Sequence, residues 1–149
     1  MNRTHQFQCL CVALLVVSVT TFSHAQESVD RGTARHGMHA CPEGMYMTGI
    51  HVGSNLLLCA KLGQGYEASE EHPDTTTVDF SMHACPSGTV MTGIHVDRNI
   101  LLCAPSTDGS SLRFADALTT RQNMHACPRS MAMAGIHVEK NHLLCQYKR

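Results

Sequence analysis

Residues 82–104 read MHACPSGTVMTGIHVDRNILLCA, and closely similar stretches occur twice more in the chain. Residues 38–60 read MHACPEGMYMTGIHVGSNLLLCA, and residues 124–146 read MHACPRSMAMAGIHVEKNHLLCQ. Fourteen of the 23 positions are identical in all three copies, and the copies begin 44 and 42 residues apart. Such periods are typical of solenoids, propellers and pseudosymmetric domains. The sequence therefore predicts three internal repeats of one structural unit.

Each copy has the alternation of a β-hairpin. In the second copy, residues 89–96 are rich in β-forming residues, and strict alternation would place Val90, Thr92, Ile94 and Val96 on one face. The turns GSN, DRN and EKN each end in an asparagine, at positions 55, 99 and 141. Asparagine tolerates the left-handed conformation that closes a three-residue hairpin turn. A further strand is expected ahead of each hairpin, which makes three or four strands per repeat.

About ten strands in three equal units favour closure around an axis, because closure leaves few strand edges exposed. We predict an all-β domain in which three internal repeats form a pseudo-threefold β-prism or β-trefoil-like fold, stabilised by disulfides. The repeated Cys-Pro-x-Gly…Cys frame resembles that of the secreted threefold β-prism proteins of the vitelline membrane outer layer type. The resemblance implies the same threefold arrangement.

The N-terminus has the features of a secretory signal. Arg3 precedes the apolar run CLCVALLVVSV, and the small residues of SHA follow, so cleavage after Ala25 is expected. The run is too short for a membrane span. We predict a signal peptide at 1–25 and a single domain at 26–149, with repeat cores at 38–60, 82–104 and 124–146. The expected location is exported, either periplasmic or extracellular.

Six cysteines follow the signal, and an even number in a small exported chain indicates a disulfide framework. Threefold symmetry leaves three connectivities, one within each repeat and two between neighbouring repeats. We expect the bonds within repeats, each stabilising the fold by about 3 kcal/mol. A simple three-stranded meander would hold the two cysteines about 9.6 Å apart, beyond the reach of a disulfide. The segment carrying the first cysteine is therefore expected to cross over the hairpin. The cysteines are Cys41, Cys59, Cys85, Cys103, Cys127 and Cys145.

Methionine and histidine remain as candidate metal ligands once the thiols are oxidised. The spacing H-x-C-x9-H-x7-C does not match a zinc finger, whereas thioether and imidazole suit copper. If SMHAC and TVMTG form a hairpin across PSG, His83 lies opposite Met91 with Cβ atoms about 5 Å apart. The predicted ligands are His39, His83, His125, Met47, Met91 and Met133, with His51, His95 and His137 as second ligands or structural residues.

Composition and motifs exclude several classes of function. After signal removal, ten basic and twelve acidic residues leave a net charge of −2 without a basic run, which argues against nucleic acid as a partner. We find no catalytic motif and expect no carboxylate shared by the three copies. The sequence predicts an exported non-enzymatic binding protein for a soft transition metal, copper first. The alternatives are a purely structural or adhesive secreted repeat protein without metal and, more weakly, a haem-binding electron-transfer protein.

Overall fold

The computed structural model describes residues 26–61, 70–106 and 112–147, and the expected signal peptide lies outside these ranges. The described part of the chain contains fifteen β-strands and one 3₁₀ turn. The first repeat contributes β1 (Glu27–Asp30), β2 (Ala34–Arg35), β3 (Met38–Ala40), β4 (Met45–His51), the 3₁₀ turn Val52–Ser54 and β5 (Leu56–Lys61). The second contributes β6 (His72–Asp74), β7 (Val78–Asp79), β8 (Met82–Ala84), β9 (Thr89–His95) and β10 (Ile100–Pro105). The third contributes β11 (Arg113–Asp116), β12 (Thr120–Arg121), β13 (Met124–Ala126), β14 (Met131–His137) and β15 (His142–Tyr147).

These strands form three five-stranded sheets, and each sheet takes strands from two repeats. The orders are β1-β5-β4-β13-β12, β2-β3-β9-β10-β6 and β11-β15-β14-β8-β7. Each repeat keeps its own hairpin and passes the short strand that carries Met-His-Ala to the next repeat, with the third repeat passing its strand to the first. The central strands β4, β9 and β14 contact one another. The fold is therefore an all-β, pseudo-threefold ring of three separate sheets, as predicted.

A glycine in each hairpin allows the exchanged strand to approach closely. Gly93 pairs with Ala40, and a Cβ on Gly93 would lie 2.7 Å from the carbonyl oxygen of His39 and 2.8 Å from Ala40 Cβ. The same crowding occurs at Gly49 and Gly135. Any other residue would push the exchanged strand away from the sheet. The repeated Gly-Ile-His sequence thus reflects contact between neighbouring repeats.

The disulfides lie at the centre of the ring and confirm the predicted pairing. Cys41 bonds Cys59, Cys85 bonds Cys103 and Cys127 bonds Cys145, with Cα separations of 5.5–5.6 Å. The geometry is feasible because Met-His-Ala leaves its own hairpin, so the cysteine that follows it crosses back to the closing strand. The central core consists mainly of these cystines, four methionines and aliphatic residues from every repeat.

Two local expectations about the hairpin were wrong. Strict alternation fails in β9, because a bulge shifts the register between Met91 and Gly93, and Met91 and Ile94 both enter the central core. The turn has four residues, since Val52 opens the 3₁₀ turn ahead of Gly53, Ser54 and Asn55. The predicted left-handed asparagine is confirmed at Asn55, Asn99 and Asn141, whose φ angles are 49°, 51° and 54°.

Each sheet curls so that its two outer edges meet through an ion pair. Arg35 lies 2.6 Å from Glu71 and Arg121 lies 2.8 Å from Glu27, each pair joining neighbouring repeats. The third sheet uses Asp79 and Arg113 at 3.2 Å, with the two charges exchanged between the equivalent positions. Among the described residues, no helix is long and apolar enough to cross a membrane.

Candidate functional site

The first repeated histidine is held by two side chains of its own repeat. His39 Nε2 donates to Asp30 Oδ1 over 2.9 Å, and its Nδ1 lies 3.1 Å from Asn55 Oδ1. His83 has the same environment, with Asp74 at 3.3 Å and Asn99 at 3.1 Å. Both side chains are only 8% exposed. These two imidazoles therefore have both ring nitrogens engaged and join the turn asparagine to an upstream aspartate.

That aspartate belongs to a tight turn present in every repeat. Asp30 accepts hydrogen bonds from the backbone of Gly32 and from the backbone and hydroxyl of Thr33. Burial raises the pKa of Asp30, but hydrogen bonds from Thr33, His39 and Gly32 outweigh burial and hold the pKa below its ordinary value of 3.8. Asp74 and Asp116 occupy equivalent turns, and their pKa values are lowered by the same balance.

The expectation that no carboxylate is shared by the three copies was wrong. Asp30, Asp74 and Asp116 each precede the first repeated histidine by nine residues, and a threonine follows each aspartate by three. Comparing the copies only from the Met-His pair onward missed this signal. Extending the comparison upstream would have revealed the repeated D-x2-T-x5-H pattern.

The third repeat departs from this arrangement at His125. Asp116 Oδ1 lies 3.4 Å from His125 Nε2, within the range of an ion pair. Nε2 of His125 is thereby paired with Asp116 and helps to lower the pKa of that aspartate, whereas Nδ1 has no hydrogen-bond partner among the described residues, although the residue is only 8% exposed. Buried polar atoms in proteins are nearly always hydrogen-bonded. His125 is therefore the one first-position histidine in the described chain whose Nδ1 remains available to a ligand.

Two grooves between neighbouring repeats each contain one first-position and one second-position histidine. The groove between the first and second repeats has a volume of about 420 Å³ and includes His39, Asn55 and His95. The groove between the third and first repeats, called here the His125 groove, has a volume of about 320 Å³ and includes His51 and His125. The exchanged strand sets His125 opposite Ile50, one residue before His51. Neighbouring repeats thus bring together histidines that are distant in sequence.

Two of the three second repeated histidines also hydrogen-bond to the hairpin turn. His51 Nδ1 accepts a hydrogen bond from Ser54 N at 3.2 Å, and His137 Nδ1 accepts one from Lys140 N at 3.4 Å. His51 is exposed, and His95 and His137 are half-buried. The Nε2 atoms of His51 and His137 are not used by the turn, which leaves one ring nitrogen of each imidazole for a ligand.

The predicted pairing of His83 with Met91 was wrong. His83 lies opposite Ile136 of the next repeat, because β8 joins the third hairpin rather than its own. Met91 lies opposite Cys103 and is fully buried in the central core, as are Met47 and Met133. The structure therefore brings the first histidines to aspartate and asparagine, and the methionines to the disulfides.

No group of three or more histidine, cysteine, aspartate or glutamate side chains that could hold a metal ion occurs within 26–61, 70–106 and 112–147. A metal ion bound by these residues would therefore have two imidazoles as its main protein ligands. No protein-family model, curated protein or solved structure matches the chain. The functional argument consequently rests on the geometry of these grooves and histidines.

Proposed function

We propose that the protein is an exported, non-enzymatic binding module that takes an imidazole-preferring metal ion, copper first, in the His125 groove. The observation that carries the proposal is the state of His125, a buried imidazole whose Nδ1 has no hydrogen-bond partner in the described structure. His51 lines the same groove and has a ring nitrogen that the turn does not use. Two available imidazoles in one groove suit copper better than the harder divalent cations.

The other members of the predicted ligand set have structural roles in this proposal. His39 and His83 hold the aspartate turn against the hairpin turn. Met47, Met91 and Met133 fill the core around the disulfides. Copper binding would therefore be a property of one groove and not of all three repeats, so the expected stoichiometry in the groove is one ion.

Export and the absence of catalysis belong to the same proposal. Three disulfides support an oxidising compartment, where such bonds persist. The Asp-His pairs do not support proton transfer, since the second nitrogen of His39 and of His83 is already engaged by asparagine. A purely structural or adhesive protein is the second candidate, favoured by the engagement of both these histidines.

Copper titration of residues 26–149 tests the proposal by residue-specific NMR. Substoichiometric Cu²⁺ should broaden the backbone amide signals of groove residues Gly53 and Ala117. His51→Asn removes the imidazole and keeps an acceptor for Ser54 N, and it should weaken copper binding in the groove by at least about tenfold through loss of chelation. His95→Asn is the matched control and should leave this broadening unchanged. Absence of broadening in the parent at micromolar Cu²⁺, or unchanged broadening in His51→Asn, would establish the structural alternative.

A further inference from the structure

The third hairpin carries a histidine pair that the other two hairpins lack. His137 ends β14 and His142 begins β15, and the two residues are direct cross-strand partners. The equivalent pairs are His51 with Leu56 and His95 with Ile100. The strand pairing beside the turn is the same in all three hairpins, and only the third places two imidazoles opposite each other.

Position 142 holds a histidine where the other two repeats hold an apolar residue. Leu56 and Ile100 are partly buried and pack against small clusters on the outer side of their sheets. The equivalent cluster of the third sheet contains Met82, Ala84, Ala134 and Leu144, and a half-buried histidine stands at position 142. Since the other two repeats place Leu56 and Ile100 at this position, the fold does not require an imidazole here.

The pairing geometry suits chelation. Directly opposed residues of an antiparallel pair project from the same face with Cβ atoms about 4.5–5.5 Å apart. Imidazole nitrogens bind zinc at about 2.0–2.1 Å, so two rings on such a pair can converge on one ion. Both histidines are half-buried at the end of the hairpin, where solvent can supply the remaining ligands.

The hydrogen bond between His137 and the turn indicates how the imidazole would change when a metal ion binds. Because Nδ1 accepts the bond from Lys140 N at 3.4 Å, the proton of the neutral ring is on Nε2. Metal binding at Nε2 moves that proton to Nδ1 and breaks the bond from Lys140 N. The Lys140 amide is therefore a specific reporter of occupancy at this imidazole.

We propose that His137 and His142 form a two-imidazole site for a divalent first-row metal ion, copper or zinc, completed by water. Zinc and copper both accept imidazole, and copper binds the more tightly of the two. The site uses neither His51 nor His125, although Asn141, which precedes His142, lines the His125 groove. It is a property of the third hairpin alone.

Zinc titration of residues 26–149, followed by calorimetry and NMR, tests this site. In the parent, Zn²⁺ should shift the amide signals of Lys140 and His142. His142→Leu restores the residue of the first repeat, so the hairpin should fold normally while zinc affinity at this site falls by at least about tenfold. Ile100→His should build a second site opposite His95 and add one zinc ion per molecule.

The outcomes separate this inference from the groove proposal. If His142→Leu binds zinc as the parent does and Lys140 still shifts, the paired-histidine site is wrong whatever occurs at Gly53 and Ala117. If Lys140 does not respond to zinc in the parent, the site is likewise wrong. Loss of the Lys140 response in His142→Leu, with copper broadening in the His125 groove unchanged, supports this site alone.

Discussion

At the scale of single residues, the repeats show which positions the backbone constrains. Gly44 and Gly88 occupy a left-handed position with φ angles of 73° and 81°, and Ser130 occupies the equivalent position at 68°. A Cβ on either glycine would have nothing within 4 Å, so the cost of a side chain there comes from the backbone alone. In the third repeat, Ser130 adopts the same turn conformation, and its Cβ makes that left-handed backbone less favourable.

Ser130→Gly should stabilise the protein by about 1 kcal/mol, because glycine adopts the left-handed conformation without the steric penalty of a Cβ. Urea denaturation under oxidising conditions measures the change in the free energy of unfolding. Ser130→Ala is the control and should show no gain, since alanine keeps the Cβ. Equal stabilisation by both variants would show that the hydroxyl, not the backbone, is responsible.

Comparison of the three repeats predicted the geometry of single residues correctly where that geometry depends on neighbours within one repeat. The left-handed asparagines and the in-repeat cystines follow from turn chemistry and symmetry, and both are present. The opposition of His83 and Met91 failed because it assumed that strands adjacent in sequence pair with each other. The true partner, Ile136, is 53 positions further along the chain and depends on strand exchange. Local periodicity contains no signal for that choice.

At the scale of elements, ion pairs and hydrogen bonds of buried arginines hold the short outer strands in place. In the second sheet, Glu71 is buried and its carboxylate receives two hydrogen bonds from Arg35, which also donates to the carbonyl of Cys41. In the third sheet, Arg113 takes the place of Glu71 and donates to the carbonyls of Cys85, Pro86 and Thr89. An ion pair of either orientation, with arginine on one edge strand or on the other, can therefore join the two edges of a sheet.

Reversing one charge of this joint should be far more harmful than reversing both. Glu71→Arg alone places two guanidinium groups together and should destabilise the protein by about 3–5 kcal/mol, as expected for a broken buried pair. Adding Arg35→Asp reproduces the polarity of the third sheet and should recover most of that loss. Urea denaturation of both single variants and the double variant gives the coupling. A double variant no more stable than Glu71→Arg would contradict the equivalence of the two polarities.

At the scale of the whole molecule, three copies of one turn act on stability together. Asp30, Asp74 and Asp116 have pKa values below those of an unfolded chain, so the folded protein binds fewer protons than the unfolded protein in acid. The stabilisation is fully present above the ordinary value of 3.8 and is lost as pH falls through the lowered pKa of the folded state. Because the three aspartates titrate over the same pH range, their contributions to the free energy of unfolding add.

The free energy of unfolding should consequently fall as pH drops below about 4, with a slope that reflects the three aspartates. Asp30→Asn should reduce both the stability at neutral pH and the steepness of its loss in acid. Denaturant titrations between pH 2 and pH 7, an interval set by the unperturbed carboxyl range, measure both quantities. Asp97→Asn, in an exposed turn, is the control and should leave the slope unchanged. An identical slope for Asp30→Asn and the parent would contradict this account.

Symmetry explains why the overall fold was easier to predict than the site. The repeat period, the cysteine count and the hairpin pattern all indicate a closed threefold ring, and each is visible within the chain. The grooves form only where one repeat meets the next, so their composition depends on a long-range partner. His125 and His51 belong to opposite ends of the described chain, and no spacing within a single repeat would join them.

The exchange of strands also sets an order in time. The sheet that contains β1, β5 and β4 from the beginning of the chain acquires β13 and β12 only from the last repeat. A ribosome would have produced parts of all three repeats before that sheet could be completed. Gly49 would wait for the strand of His125 and Ala126 to fill the space beside it. Maturation of this protein is therefore a late event, reached after synthesis of the third repeat and not accumulated one repeat at a time.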